Sequence, residues 1–304
     1  MNLTTEQYVS YQRAAAERAD INLSEVLTPA EHHVVLGQMN FHYLDWGTVG
    51  KPTVIFLHGG GLTAHTWDLC CLALRSRYRC VALDQRGHGD SEWASDGDYS
   101  IATQSRDIQA LLDHLREKMV YLVGMSMGGL NALQLAINNS DRLAGIVIVD
   151  AGPEPRLEAA KEMFDFVNKT VEFESVEAAV EQSLAFNPKR NAKILRFSLL
   201  HNLRRLPNGN WTWKYDRRRF EYVQRQGFKE ECNQLWQGTA RVHCPVLVVR
   251  GAESKVFLEA DALRLASSFP SGQLATVERA GHNVQGDNPK ALIALLQQFL
   301  EKSR

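Results

Sequence analysis

Five short apolar runs recur along the chain from residue 53 onwards, and they limit the folds that it can adopt. They read TVIFLHG, YRCVALD, MVYLVG, LAGIVIVD and PVLVVRG, and each is bounded by Gly, Asp or His. Strands that are covered on both faces carry near-continuous apolar runs of this kind. Helical segments separate the five runs. The pattern therefore predicts an α/β fold with a mostly parallel sheet flanked by helices.

The segments around these runs divide the chain into parts. Residues 1–30 are polar with helical spacing, which predicts a helical arm on the surface without a chemical role. The runs HHVVLGQ and FHYLDWG alternate as an antiparallel hairpin does. Residues 152–243 carry no buried-strand run, whereas LEAAKEMFDFVNK and KILRFSLLHNL have amphipathic helical spacing. We expect residues 31–151 and 244–304 to form the core and residues 152–243 to form a helical cap.

Composition and charge restrict the partners. The chain has 304 residues, 44% of them hydrophobic, which suits one large domain with an insertion. A formal net charge of −1 gives no reason to expect nucleic acid. No apolar run approaches the ~20 residues that cross a membrane. We therefore expect a small-molecule substrate and no nucleic-acid or membrane partner, and the oligomeric state is left open between a monomer and a homodimer.

The cysteines and the N-terminus indicate a compartment. The five cysteines are scattered along the chain without a CxxC pair, which favours reduced and buried thiols. The first twenty residues lack the apolar core of a signal peptide. Together these features predict a cytoplasmic location.

A serine stands where a predicted strand gives way to a predicted helix. Ser126 follows the run MVYLVGM, and apolar residues with helical spacing follow it. Gly124 and Gly128 flank it at two positions on either side, which makes a Gly-x-Ser-x-Gly pattern in a strand-turn-helix context. A plain glycine-rich turn would explain the glycines alone. The context favours a nucleophilic serine, which needs a base to take its proton.

The base must be one of ten histidines. His282 lies on a glycine-preceded loop between a last predicted strand, in QLATVERAG, and the closing helix PKALIALLQQFLEK, where its side chain can reach over the sheet edge. His58 and His88 lie in loops at the same edge, in LHGGG and DQRGHGDS, where hydrogen bonds that hold the loops are the expected role. His282 is therefore the candidate base.

The carboxylate that would orient this histidine has two candidates. Asp150 ends the run LAGIVIVD, and Glu253 follows the next run in VVRGAES. We favour Asp150 and keep Glu253 as the alternative. For the oxyanion, the three glycines of FLHGGGLTAHTW follow a buried strand, and the backbone N–H groups of Gly60 and Met127 are the candidate donors.

The motifs LHGGG, DQRGHGDS, GMSMGG, VDAGPE and AGHNV together resemble those of the α/β-hydrolase fold family over about residues 35–300. The resemblance implies an eight-stranded, mostly parallel sheet with a helical cap after the sixth strand. It also implies a triad in the order Ser, acid, His, with Ser126 as nucleophile, His282 as base, and the N–H groups of Gly60 and Met127 as oxyanion donors.

The acid departs from the commonest pattern of the family. Many members carry an aspartate three residues after the glycine that ends the seventh strand, and Ser254 stands there in this chain. Other members place the acid at the end of the sixth strand, which matches Asp150. The resemblance therefore implies Asp150 as the acid.

A serine nucleophile predicts acyl transfer to water, with a carboxylic ester or a lactone of small to medium apolar character as substrate. A C–C bond hydrolase acting on a diketone-like ring-cleavage product is an alternative, as is a ligand receptor on a hydrolase scaffold. No His or Cys cluster has metal-ligand spacing, so we expect neither metal nor cofactor. We interpret the basic stretch DRRRFEYVQRQ as a solvated face rather than an anion site.

Overall fold

The strands form one large sheet and one small sheet in the computed structural model, which describes residues 3–154, 170–186, 188 and 191–303. In chain order the strands are β1 (Ala30–Leu36), β2 (Met39–Asp45), β3 (Thr53–Leu57), β4 (Arg79–Leu83), β5 (Val120–Met125), β6 (Leu143–Val149), β7 (Glu172–Phe173), β8 (Leu203–Arg205), β9 (Trp211–Trp213), β10 (Val246–Gly251) and β11 (Gly272–Val277). The large sheet has eight strands in the order β1-β2-β4-β3-β5-β6-β10-β11.

Helices connect most of the strands. They are α1 (Thr5–Arg18), α2 (Asp68–Leu74), α3 (Ile101–Leu115), α4 (Met127–Asn139), α5 (Val176–Phe186), α6 (Ala192–Asn202), α7 (Arg218–Tyr222), α8 (Gln226–Gly238), α9 (Glu259–Ser267), α10 (Val284–Asp287) and α11 (Pro289–Lys302). Short 3-10 turns lie at residues 64–67, 140–142 and 239–241. Within the described ranges, no helix combines the length and the apolar character needed to cross a membrane.

The direction of the strands matches the prediction. β1 pairs with β2 and β2 with β4 in antiparallel fashion, and the pairs from β4 to β11 are parallel. Every residue of β3, β4 and β5 is buried, because helices cover both faces of the sheet. One apolar cluster lies on each face. The expected eight-stranded, mostly parallel sheet flanked by helices is confirmed.

The N-terminal arm is helical and contacts both the core and the segment after β6. Helix α1 begins with a capping box between Thr4 and Gln7. The ring of Tyr11 stacks on that of Phe197 in α6, with centroids 3.4 Å apart. The amide of Gln12 donates a 2.5 Å hydrogen bond to the buried carboxylate of Asp68 at the start of α2. The arm therefore connects α6 to the core.

The long segment between β6 and β10 carries the cap elements α5 to α8 and the small sheet, whose strand order is β7-β9-β8. This small antiparallel sheet was not expected, because the sequence predicted helices only. A tight turn at Asn208–Gly209 joins β8 to β9, with φ of +92° at Gly209. The predicted helix LEAAKEMFDFVNK covers residues 157–169, which lie outside the described residues. The cap reaches the loop after β4 through an isolated bridge between Tyr215 and His88.

Candidate active site

Ser126 occupies a sharp turn between β5 and α4. Its φ of +52° and ψ of −118° are a conformation that a residue with a side chain rarely adopts. Tight packing explains both flanking glycines. A Cβ at Gly124 would overlap the backbone of Gly128, and a Cβ at Gly128 would overlap the backbone carbonyl of Leu57 on β3. The turn therefore holds the serine side chain at the carboxyl end of the central strands.

The structure brings Ser126, His282 and Asp150 together. Oγ of Ser126 lies 3.1 Å from Nε2 of His282, and Nδ1 of His282 lies 2.8 Å from Oδ2 of Asp150. A carboxylate only accepts hydrogen bonds, so Nδ1 carries the proton and Nε2 is left to accept from the serine hydroxyl. The imidazole is about one fifth exposed, whereas the Asp150 side chain is fully buried. These contacts can transfer the serine proton to the ring.

Asp150 is held by groups from the neighbouring strand. Its Oδ1 accepts a 2.8 Å hydrogen bond from the backbone N–H of Gly251, the last residue of β10. Its Oδ2 accepts a 2.6 Å bond from the hydroxyl of Ser254. Glu253, the alternative acid, is exposed to solvent. Sequence reasoning noted Ser254 only as a departure from the family and missed its contact with Asp150.

The glycine loop after β3 packs closely against the serine turn. A Cβ at Gly59 would overlap Sδ of Met125 and lie 3.3 Å from Cβ of Ser126, so the loop passes close to the serine turn. At Gly60 the nearest described atom to an added Cβ is Cε1 of Phe220 in α7, at 3.6 Å. Met127 is the first residue of α4, where backbone N–H groups have no partner within the helix. Both predicted oxyanion donors therefore lie in segments adjoining Ser126.

His58 and His88 hold loops, as the sequence indicated. Nδ1 of His58 lies 2.8 Å from the carbonyl of Gly59, and its Nε2 accepts a 3.0 Å bond from the backbone N–H of Gln85. Nδ1 of His88 lies 3.0 Å from the carbonyl of Arg86. Burial lowers the pKa of both rings, that of His88 to about 3, so the two rings are neutral near pH 7.

Asp84, at the end of β4, connects the loops around the site. Its carboxylate accepts backbone hydrogen bonds from Ala64 at 2.7 Å and Asp90 at 3.0 Å, and contacts Nδ1 of His42 at 2.8 Å. Ligand atoms of Asp84, His42 and Asp90 lie within 4.8 Å of one another, a spacing that could hold a metal ion. Protein donors already satisfy Asp84, and Nζ of Lys214 contacts the Asp90 carboxylate at 2.6 Å. These contacts explain the cluster without an ion.

The basic stretch is not a wholly solvated face. Arg218 is partly exposed and pairs with Asp216 at 2.6 Å. Arg219, however, is only 5% exposed, and its Nε lies 3.1 Å from Sδ of Met127. The expectation of a solvated face is wrong for Arg219, because α7 packs this side chain inward against the residue that follows Ser126.

Comparison with protein families gives one matching model over most of the chain. The model, which describes the alpha/beta hydrolase fold, matches residues 52–289. Among characterised proteins, the chain is similar to the esterase Rv0045c of Mycobacterium tuberculosis, with 37% identity over 268 residues that cover 85% of each chain. It is also similar to a probable protein phosphatase methylesterase 1 of Caenorhabditis elegans, with 27% identity over 83% of this chain and 70% of that protein.

Solved structures show the same likeness. The crystal structure of the Mycobacterium tuberculosis esterase Rv0045c superposes with a TM-score of 0.79 and 33% identity, covering 99% of this chain and 100% of the other. The similarity therefore includes the segment between β6 and β10 as well as the sheet.

Proposed function

The chain belongs to the alpha/beta hydrolase fold family, and from that premise we propose that it is a serine esterase with a Ser126–His282–Asp150 triad. Its substrate is a carboxylic ester or a lactone of small to medium size with apolar character. The hydrogen-bonded series from Asp150 through His282 to Ser126, with distances of 2.8 and 3.1 Å, carries the proposal.

The reaction begins at Ser126. His282 accepts the hydroxyl proton at Nε2 while Oγ attacks the ester carbonyl, and Asp150 stabilises the positive charge on the ring. The proton then passes to the leaving alcohol as the C–O bond breaks, which leaves an acyl group on Oγ. Water attacks this acyl group, with His282 as base again, and the acid is released.

The oxyanion of each tetrahedral intermediate faces backbone donors. We assign this role to the N–H groups of Gly60 and Met127, since the loop after β3 and the start of α4 both adjoin Ser126. The loss of one such donor costs ~3 kcal/mol in transition-state stabilisation. The positive end of α4 adds to this stabilisation.

Aromatic side chains of the cap support the proposal of an apolar substrate. Phe220 and Tyr215 lie beside the glycine loop, with ring atoms 3.5 to 3.8 Å from a Cβ built at Gly61. The two rings contact each other edge to face at 5.4 Å between centroids. Aromatic surface beside the donors favours an apolar acyl or alcohol part.

The five cysteines are free and buried, which fits a reducing compartment. We therefore keep the cytoplasm as the proposed location.

The test is turnover of 4-nitrophenyl butanoate by the wild-type chain and by Ser126→Ala, combined with labelling by a fluorophosphonate. We expect the variant to lose about 10⁴-fold or more in kcat. Intact-mass analysis should show one adduct on the wild-type protein, mapped to Ser126, and none on the variant.

Other outcomes would contradict the proposal. Near wild-type activity in Ser126→Ala would exclude Ser126 as nucleophile. Turnover of a vinylogous diketone without turnover of esters or lactones would indicate a C–C bond hydrolase. Binding without turnover of any of these compounds would indicate a receptor.

A further inference from the structure

A buried arginine lies beside the residue that follows the nucleophile, and none of the described carboxylates pairs with it. Nε of Arg219 in α7 contacts Sδ of Met127, the residue after Ser126, at 3.1 Å. A thioether sulfur is a weak acceptor and carries no charge to balance the guanidinium. Within the described part of the chain, Nη1 is buried with no hydrogen-bond partner, and no carboxylate lies within ion-pair distance of this side chain.

The carboxylate of Glu231 is bound by donors other than Arg219. Glu231 accepts hydrogen bonds from the backbone N–H groups of Ile101 and Ala102, both at 3.1 Å, and from the hydroxyl of Tyr222. On the other side, the ring of Phe228 lies 5.9 Å from the Arg219 guanidinium carbon. Arg219 is therefore packed among an aromatic ring and a thioether.

The side chain is nevertheless charged at neutral pH. Burial lowers the pKa of Arg219 to about 10, although Tyr222 and Glu231 act to raise it. A buried charge without a partner destabilises a fold, and an opposite charge removes that cost. The neighbouring basic side chains do not add to the buried positive charge, because Lys214 is paired with Asp90 and His88 is neutral. Among the residues that the structure describes, no carboxylate contacts this positive charge directly, and Glu231 acts on it only through space.

We propose that Arg219 binds a carboxylate group of the substrate, so that the protein prefers esters whose acyl or alcohol part carries one negative charge. The inference rests on the proposed esterase function. A carboxylate matches one guanidinium in charge and accepts two parallel N–H bonds from it. A doubly charged phosphate would leave excess negative charge in the same buried place. The contact with Met127 places this group next to the residue whose N–H faces the oxyanion.

The test compares two esters of equal length, mono-4-nitrophenyl adipate and its neutral methyl ester. In the wild-type chain we expect the ratio of kcat/KM, anionic over neutral, to be about 10 to 100, which is the usual worth of a hydrogen bond to a charged group. In Arg219→Met the ratio should fall to about one. Arg219→Lys keeps the charge but loses the planar fork, and should give an intermediate ratio.

Arg225→Met is the matched control, because Arg225 is an exposed arginine of the same cap segment. It should keep the wild-type ratio. Thermal unfolding of Arg219→Met should occur at the wild-type temperature or above it, because the variant removes a charge without a partner. If Arg219→Met does not fold, the ratio for Arg219→Lys decides.

The outcomes separate this inference from the proposed function. If the wild-type chain hydrolyses both esters with equal kcat/KM, the carboxylate site is wrong and the esterase stands. If only 4-nitrophenyl butanoate is hydrolysed, the carboxylate site is wrong and the esterase stands. If none of the three esters is hydrolysed, the esterase assignment fails, and calorimetry with adipate decides about Arg219. Binding that weakens about tenfold or more in Arg219→Met then supports the site, and equal or absent binding in the two proteins contradicts it.

Discussion

The hydroxyl of Ser254 donates a 2.6 Å hydrogen bond to Oδ2 of Asp150, the same oxygen that lies 2.8 Å from Nδ1 of His282. Ser254 stands three residues after Gly251. Many members of the α/β-hydrolase fold family carry an aspartate at this position. In this chain the carboxylate comes from the end of the neighbouring strand β6 instead. The serine contributes a donor to that carboxylate, so Ser254, Asp150 and His282 form one hydrogen-bonded series.

The first prediction separates the two candidate acids. Asp150→Asn should lower kcat about 10⁴-fold, because an amide no longer fixes the required tautomer of His282 or stabilises its charge. Glu253→Gln removes an exposed carboxylate and should keep the wild-type kcat. Steady-state kinetics with an aryl ester measures both. The reverse pattern would transfer the role of acid to Glu253.

The second prediction concerns Ser254. Ser254→Ala removes one donor to a buried carboxylate, and kcat/KM should fall about tenfold. Ser268→Ala is the control, since its hydroxyl donates to Leu265 in α9, away from the site. Wild-type kcat/KM in Ser254→Ala would mean that Ser254 has no part in the reaction.

Local sequence patterns predicted the sheet and the position of Ser126. Strands covered on both faces are apolar throughout, as in β3 and β5, so they were recognisable one by one. The acid was harder to choose. β6 and β10 are adjacent in the sheet, so Asp150 and Glu253 leave it at the same edge. The choice depends on side-chain direction, which follows from the φ of +48° at Asp150 and the N–H of Gly251.

The cap was predicted less well. Its strands β7, β8 and β9 are two or three residues long, too short for an alternation to be seen. Arg219 lies in a run of three arginines, which is typical of a solvated surface. Its burial depends on packing against Met127, which is distant in sequence, and against Phe228, which lies on the next helix. Tertiary contacts of this kind leave no signal in local composition.

The third prediction concerns pH and the buried pair of His42 and Asp84. Burial lowers the pKa of His42, but the bond to Asp84 and its charge outweigh burial and raise it above 6.5. For Asp84, burial raises the pKa. The hydrogen bond to His42 and the charge of that ring are the main opposing effects, and the pKa of Asp84 lies below its usual range. His42 therefore contributes stability that is full below about pH 6.5 and is lost as the pH rises through its folded pKa. Asp84 contributes stability that is present above about pH 4 and is lost in stronger acid.

The measurement is the unfolding temperature of His42→Gln relative to wild type across this range. The loss caused by the substitution should be largest at about pH 5.5 and smaller at about pH 8.5. His243→Gln replaces an exposed histidine and should show no such dependence. A loss that is constant with pH would mean that the pair does not change its protonation between these values.

The fourth prediction tests the packing that supports the serine turn. Gly128→Ala would place a Cβ against the backbone carbonyl of Leu57 on β3, and this strand cannot move away without breaking its pairing with β4 and β5. We expect a loss of about 3 kcal/mol or more in the free energy of unfolding. Gly227→Ala in α8 meets no atom within 4 Å and should be neutral or slightly stabilising, since alanine favours helix. Urea unfolding of the two variants measures the difference. A Gly128→Ala protein as stable as wild type would show that the turn yields to a side chain, and the close approach of α4 to β3 would then not be what positions Ser126.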